Sequence, residues 1–445
     1  MAVSIVVNQT ALGPTLDSTF AGFSYEKSRI YFPLFNADNT ALISLFKRLG
    51  PGILRMGGAS VDETMWNPTG GGLTLNQVAP ADIDRLSGFL KAVNWKIIYG
   101  MNFATNTQAL MAAEAAYAAA SLGDNLLGFE LGNEPDIYFY TGLRPSTYTY
   151  ADFQAEWTGY ANAISAQTPK ALFIGPGTAA NTGTYVVPFA AAESKRIALL
   201  TQHYYIDAVD GGAADFNSTT QLNMLLQADP QLPVTLQTLN ATAKANGIAG
   251  GYRIDEANSF YEGPAIPVTD SLASALWAID FLFINALNGS SGVNFHGGGN
   301  AVGGITPIAE NGTTVIQVRP EYYAMLLFSQ AAQGNLLATT INSGGLLLTA
   351  YAVAGSDGTQ YVVVVNKDPT NNAHVALQFN TSVSNATILQ LTGQSLTSPN
   401  DIQLNAAAIN ADGSWSPTSL ASMAVSRGNL TLNVAPACAV LITAS

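Results

Sequence analysis

Two short acidic motifs stand out among the chain's 30 carboxylates. One is Glu130-Leu131-Gly132-Asn133-Glu134-Pro135 and the other Ile254-Asp255-Glu256-Ala257-Asn258. Each ends a short apolar run, so each offers a glutamate at the end of a candidate strand. Two carboxylates brought to one mouth are the minimum set for cleaving a glycosidic bond. One protonates the leaving oxygen, and the other attacks the anomeric carbon or activates water. Retention of configuration asks for carboxyls about 5 Å apart, one ionised and one protonated. Glu256 is expected to be the ionised member, kept so by Arg55 as cationic neighbour, and Glu134 the proton donor. Pro135 removes a donor and stiffens the turn that aims Glu134. Tyr25, Tyr204, Tyr205 and Tyr261 are expected near the mouth, where they can stack on sugar faces. Glu130 reads as packing behind the site, and His203 as a group that orients its neighbours.

Other chemistries find little support. Cys438 is alone, which excludes an intrachain disulfide and a cysteine metal site, and its apolar surroundings read as a buried thiol. His203, His296 and His374 are scattered and form no HExxH-type pair, so neither a metal nor an organic cofactor is expected. The glycine loop at 297–304 has no Lys-Ser or Lys-Thr and does not read as a phosphate cradle. A net charge of −13, with only 17 basic residues, argues against nucleic acid, an anionic membrane surface or a highly sulfated polymer as partner. No apolar run reaches the roughly 18 residues of a membrane span. The chain is expected to be a monomer. Its low charge and its Ala, Gly, Asn, Ser and Thr content fit a secreted or periplasmic protein, with the signal peptide absent from this chain.

The elements that would position these residues repeat along the chain. Strands are expected at 22–26, 53–56, 96–101, 127–131, 171–175, 199–205, 252–255 and 292–295. Helical patterns lie between them, at 81–93, 107–121, 150–167, 232–246 and 271–288. Short apolar strands alternating with helices over some 310 residues fit a (β/α)₈ barrel. A doubly wound sheet would want a glycine-rich turn after its first strand, which is missing here. In such a barrel the working residues sit at the carboxyl ends of the strands, which places Glu134 after strand four and Glu256 after strand seven. Beyond a last helix at 322–333 the texture becomes strand and turn, with runs at 335–342, 346–354, 361–366, 375–380, 386–391 and 430–441. These read as a β-sandwich, which the strand-like opening run 2–8 is expected to join. The division expected is 1–15 for the joining strand, 16–333 for the catalytic barrel and 334–445 for the sandwich.

The run Phe129-Glu130-Leu131-Gly132-Asn133-Glu134-Pro135 resembles the acid/base motif of the retaining β-glycosidases with (β/α)₈ barrels. More narrowly, the chain resembles glycoside hydrolase family 79, the β-glucuronidase and heparanase family. Leu54-Arg55-Met56-Gly57-Gly58, Glu256 followed by Tyr261, and the Gly297-Gly298-Gly299-Asn300 loop carry the likeness. The resemblance implies that Asn133 holds the sugar 2-hydroxyl, Glu134 is acid/base and Glu256 is the nucleophile. It implies that Glu26 holds sugar hydroxyls, that Tyr204 and Tyr261 line the glycone subsite, and that Arg55 and Ser60 belong to the binding set. It further implies an exo-β-D-glucuronidase working by double displacement on a β-glucuronide, an oligosaccharide or a proteoglycan glycan. The family commonly binds the uronate carboxylate with a tyrosine in the loop after strand eight, and this loop has none. Either backbone amides take its place, with Gly263 and Gly304 expected to contribute, or the preferred sugar is neutral. A β-glucosidase or β-xylosidase, a heparanase-like endo-enzyme and a sugar-binding barrel are the alternative readings.

Overall fold

The computed structural model describes residues 1–208, 218–379 and 383–445. Eight parallel strands close into a barrel: Ala21–Glu26, Ile53–Gly57, Lys96–Met101, Leu126–Leu131, Phe173–Thr178, Ile197–Ala208, Tyr252–Tyr261 and Val293–Gly297. They are apolar and buried along almost their whole length, as strands must be when a filled barrel lies on one face and helices on the other. The sixth and seventh strands outrun their expected ends, reaching Ala208 and Tyr261. Polar residues that read as loop, among them Glu256 and Asn258, are instead buried ladder positions. A helix at Thr40–Leu49, which apolar periodicity did not single out, follows the first strand and is capped by the Asn39 side chain accepting from the Leu42 N–H.

The barrel floor is closed by a buried cation. Arg253 donates through Nε to Asn294 Oδ1 at 2.5 Å and through Nη2 to the Phe20 carbonyl at 3.0 Å. Asn294 in turn donates to the carbonyls of Phe23 and Ile53. Burial pulls the Arg253 guanidinium down to about 9, and the surrounding carbonyls satisfy its donors.

Of the other described strands, Met65–Trp66 with Gln77–Val78 and Ile308–Glu310 with Val315–Val318 make two small two-stranded sheets, and the rest form a ten-stranded curled sheet. Ala2–Thr15 lies inside it, antiparallel to Gly334–Asn342 and parallel to Ala373–Phe379. The run 430–441, expected as one strand, is two: Asn429–Val434 and Cys438–Ala444. Pro436 cannot donate to a ladder, and Ala437 sits at φ 46°, so the chain turns there. The two halves pair with different neighbours. Alternation splits the sheet's side chains. Val362, Val364, Val440 and Ile442 fill its own core, while Val363, Val365 and Leu441 join the core that continues into the barrel.

Candidate active site

The fourth strand ends in a turn whose geometry is set by its neighbours. Gly132 has φ 81°, and a Cβ there would run into the Tyr138 hydroxyl and Phe103. Glu134 follows at φ 54°, a left-handed conformation costing a side-chain-bearing residue roughly 1–2 kcal/mol. The turn holds because the Glu134 N–H donates to the Gly177 carbonyl at 2.8 Å and because Asp62 anchors it from the side. The Asp62 carboxylate accepts from the N–H groups of Phe103 (2.8 Å), Ala104 (2.9 Å) and Asn133 (3.2 Å), and from the Tyr138 hydroxyl (2.6 Å). One buried carboxylate thereby ties together the loops after strands two, three and four.

Across the mouth, the register of strands six and seven sets His203 beside Glu256 and Tyr205 beside Asn258. His203 Nδ1 lies 2.9 Å from Glu134 Oε1, and the Tyr205 hydroxyl donates to Glu256 Oε1 at 2.8 Å. Arg55 donates through Nη1 to Glu256 Oε2 (2.6 Å), through Nη2 to Asn133 Oδ1 (2.9 Å) and through Nε to Glu130 Oε2 (2.6 Å). Thr201 completes the back wall by donating to Glu130 Oε1. Glu26 accepts from both the N–H (2.9 Å) and the hydroxyl (2.5 Å) of Ser60, and His296 stands between Glu26 (3.6 Å) and Glu256 (3.5 Å).

Opposite environments act on these acids. Burial pushes Glu256 up, but His296, His203, Arg55 and the Tyr205 hydroxyl outweigh it and hold the carboxyl well below the usual range. Glu26 is likewise held down by His296 and Ser60 against its burial. Burial and the neighbouring Glu130 carboxylate push Asp255 well up despite Arg55 at 3.3 Å. Burial opposes the charge on His296, yet Glu256 and Glu26 raise it above the ordinary imidazole value. Among the described residues, one oxygen each of Glu134 and Glu256 and a ring nitrogen of His203 lie within 4.8 Å of one another, close enough to hold a cation. Arg55 and Tyr205 already occupy the two Glu256 oxygens, so a metal there would compete with one or the other.

Three expected residues lie elsewhere. Tyr204 points outward, because neighbouring positions on a strand face opposite sides. It stacks on Phe281 at 5.0 Å and donates to Asp229 at 2.9 Å, and Tyr205 faces the mouth in its place. Tyr25 is fully buried and meets Phe35 edge-on, below the mouth. In the glycine loop, the Gly304 N–H donates to the Ala301 carbonyl, Gly298 to Thr306 and Gly299 to Glu310, so these amides are spent inside the loop. Gly263, at φ 128°, faces open space, and Tyr261 stands at the rim, edge-on to Tyr205 at 5.8 Å.

A β-glucuronidase of Aspergillus niger is 27% identical over 318 residues, which take in 66% of this chain and 56% of that relative. The chain thus spans little more than half that relative's length. A β-glucuronidase of Neurospora crassa is 23% identical over 478 residues, covering 93% of this chain and 82% of the relative. Among solved structures, a 4-O-α-L-rhamnosyl-β-D-glucuronidase of Fusarium oxysporum, in complex with Rha-GlcA, superposes over the whole of both chains with a TM-score of 0.81 at 17% identity. The fold is one that glycoside hydrolases use. No protein-family model matches the chain.

On that fold the sequence reading missed His296, Asp62 and Thr201. His296 carried a usable signal, since it directly follows the expected eighth strand at the barrel's carboxyl end. Asp62 carried none, because it lies in a loop and acts by capping two backbone segments that only the fold brings beside it.

Proposed function

We propose that the chain is a retaining exo-β-D-glucuronidase that removes terminal β-glucuronic acid by double displacement. The observation that carries the retaining mechanism is the spacing of Glu134 and Glu256, whose nearest oxygens lie within 4.8 Å. That suits direct attack, whereas an inverting pair stands about 6.5–9.5 Å apart to admit a water. The β-glucuronidase relatives and the Fusarium fold support the choice of sugar.

In the first step a Glu256 oxygen attacks the anomeric carbon, the bond to the leaving oxygen breaks, and Glu134 gives that oxygen its proton. In the second step Glu134 takes a proton from water. The resulting hydroxide attacks the anomeric carbon, and Glu256 leaves as the carboxylate it began as. Arg55 and Tyr205 keep Glu256 ionised and fix its rotamer. His203 holds the Glu134 carboxyl in place. Asn133, its Oδ1 taken by Arg55, presents its Nδ2 donors to the sugar 2-hydroxyl, and Glu26 with Ser60 faces the other hydroxyls. The loop after strand seven, with Gly263 at its open turn, offers the amide for the uronate carboxylate.

The spent amides of Gly298, Gly299 and Gly304 favour a second reading, a β-glycosidase for a neutral sugar with the same catalytic pair. Turnover of 4-nitrophenyl β-D-glucuronide beside the β-D-glucoside separates the two. The glucuronide is expected to be hydrolysed faster, with the β-anomer of glucuronic acid released first by NMR. Glu256→Gln and Glu134→Ala should each lose at least a thousandfold in kcat/KM. A faster glucoside overturns the sugar assignment, and first release of the α-anomer overturns retention.

A further inference from the structure

Several large apolar side chains lie exposed on the segments at the barrel's carboxyl end, Leu73 and Leu75 after strand two among them, and one exposed pair is aromatic. Phe139 and Tyr140, 45% and 78% exposed, follow the turn that carries Glu134, and their rings meet at 4.5 Å. Tyr261, Ile266 and Val302 are exposed on the loops after strands seven and eight, on the side of Glu256. The group that departs in the first step takes its proton from Glu134, so it must lie on the Glu134 side, the side from which the segment carrying Phe139 and Tyr140 leaves the barrel.

The charge of the same face is uneven. Among the described residues, the segments that follow the eight strands, 26–39, 57–79, 101–107, 131–149, 178–186, 218–231, 261–271 and 297–319, contain ten acidic residues and four basic ones. All four bases are already committed: Lys27 to Glu114 (3.0 Å), Arg29 to Glu310 (3.4 Å), Arg144 to Glu156 (3.0 Å) and Arg319 to Asp270 (3.5 Å). A sulfated or uronate-rich leaving group would meet an acid-rich rim whose Lys and Arg side chains, among the described residues, are all paired. An uncharged apolar one would meet a pair of aromatic rings that bury area at little entropic cost.

We propose that the aglycone side of this site selects an uncharged, apolar aglycone of aryl type, with Phe139 and Tyr140 as its platform. The inference rests on the glycosidase reading above, but it concerns the leaving group and stands apart from the choice of sugar.

The test compares 2-naphthyl β-D-glucuronide with its 6-sulfo derivative at low ionic strength. The sulfonate makes the naphthol a slightly better leaving group, so electronics work against the expected result. The neutral substrate should show kcat/KM at least tenfold higher. In Phe139→Ala/Tyr140→Ala, KM for the naphthyl substrate should rise several-fold with kcat little changed, and the preference for naphthyl over methyl β-D-glucuronide should shrink. Equal or faster turnover of the sulfonated substrate overturns the proposal. So does a preference that survives the double substitution. The same naphthyl pair is run on β-D-glucose. If only the glucosides turn over, the sugar assignment falls while the aglycone preference is read on them. If neither sugar is cleaved, both readings fall.

Discussion

Arg55 faces three carboxylates in a barrel core closed to water: Glu130 and Glu256 at 2.6 Å each, and Asp255 at 3.3 Å. His296 and His203 help Arg55 to offset the Glu256 charge, which leaves Glu130 and Asp255 to share the guanidinium, and burial favours a proton on the less well paired of the two. The environments choose where it goes: Glu130 is held low by Arg55 against its burial, while Asp255 is pushed well up. The surroundings of Asp255 thus favour its neutral form behind the nucleophile, and those of Glu130 and Glu256 favour the carboxylate. Asp255→Asn, which copies that neutral state, is expected to shift the melting temperature by under about 2 °C, whereas Glu130→Gln removes one half of a buried pair and costs roughly 3–5 kcal/mol. Thermal melts of the two variants side by side check this, and equal losses would place the proton wrongly. Arg55→Met removes the cation that helps hold Glu256 down. The acid limb of kcat/KM against pH, set by an ionised Glu256, should then move to higher pH, and a limb that stays put would mean the two histidines suffice. Strand-end position and the Asn133-Glu134-Pro135 motif together brought Arg55, Glu130, Glu134 and Glu256 forward as candidates in the sequence. The upward push on Asp255 was not legible, because it follows from burial and neighbours, and sequence shows only the residue type.

At the scale of elements, apolar runs separated by helical periods were enough to find eight barrel strands, because a strand buried on both faces has a simple composition. The same simplicity hides which way each side chain points. Tyr204 and Tyr205 are adjacent and identical in type, and only the register against strand seven sends Tyr205 to Glu256 and Tyr204 out to Phe281. Glu321 shows the same limit on a helix. It begins Pro320–Ala331, where an exposed first-turn acid would be ordinary. Instead it is buried, accepting from Asn258 at 3.0 Å and Ser274 at 2.9 Å, and burial raises it from 4.5 to about 8. Below about pH 4.5 the folded and unfolded chains both carry the proton, so burial of the neutral acid brings no pH-dependent penalty. As pH rises toward 8 the unfolded chain releases its proton while the folded one keeps it, and stability falls by an amount on the order of 5 kcal/mol before levelling off. Glu321→Gln is expected to remove most of that slope. Denaturant midpoints at pH 5 and pH 8 should differ less in the variant than in the parent, and an unchanged difference would exclude Glu321 as its source.

Across the whole molecule, barrel and sheet share one core. The helix Leu272–Leu287 is buried on nearly every side, and Phe283 stacks flat on Tyr351 at 4.4 Å. At its centre Asp280 accepts from Lys367 Nζ (2.6 Å), Thr349 (2.6 Å) and the Tyr351 hydroxyl (3.0 Å), which joins a barrel helix to three residues of the sheet. A helix this apolar signals burial in the sequence, but not against what. Nor does composition disclose that a single aspartate in it meets a lysine far along the chain. The arrangement implies that the two parts unfold together, since neither can leave without exposing an apolar helix face and splitting a buried ion pair. Lys367→Met leaves Asp280 charged and without its cation, and is expected to cost roughly 3–5 kcal/mol. Asp280→Asn added to Lys367→Met removes the stranded charge while leaving an acceptor for Thr349 and Tyr351, so the pair of changes should recover much of the loss. Calorimetry decides the point: one transition in parent and variants alike, lowered by Lys367→Met and raised again by the second change, is the expected record. Two separate transitions, with Lys367→Met moving only one of them, would mean that barrel and sheet are stable on their own and that the Asp280 cluster merely decorates their contact.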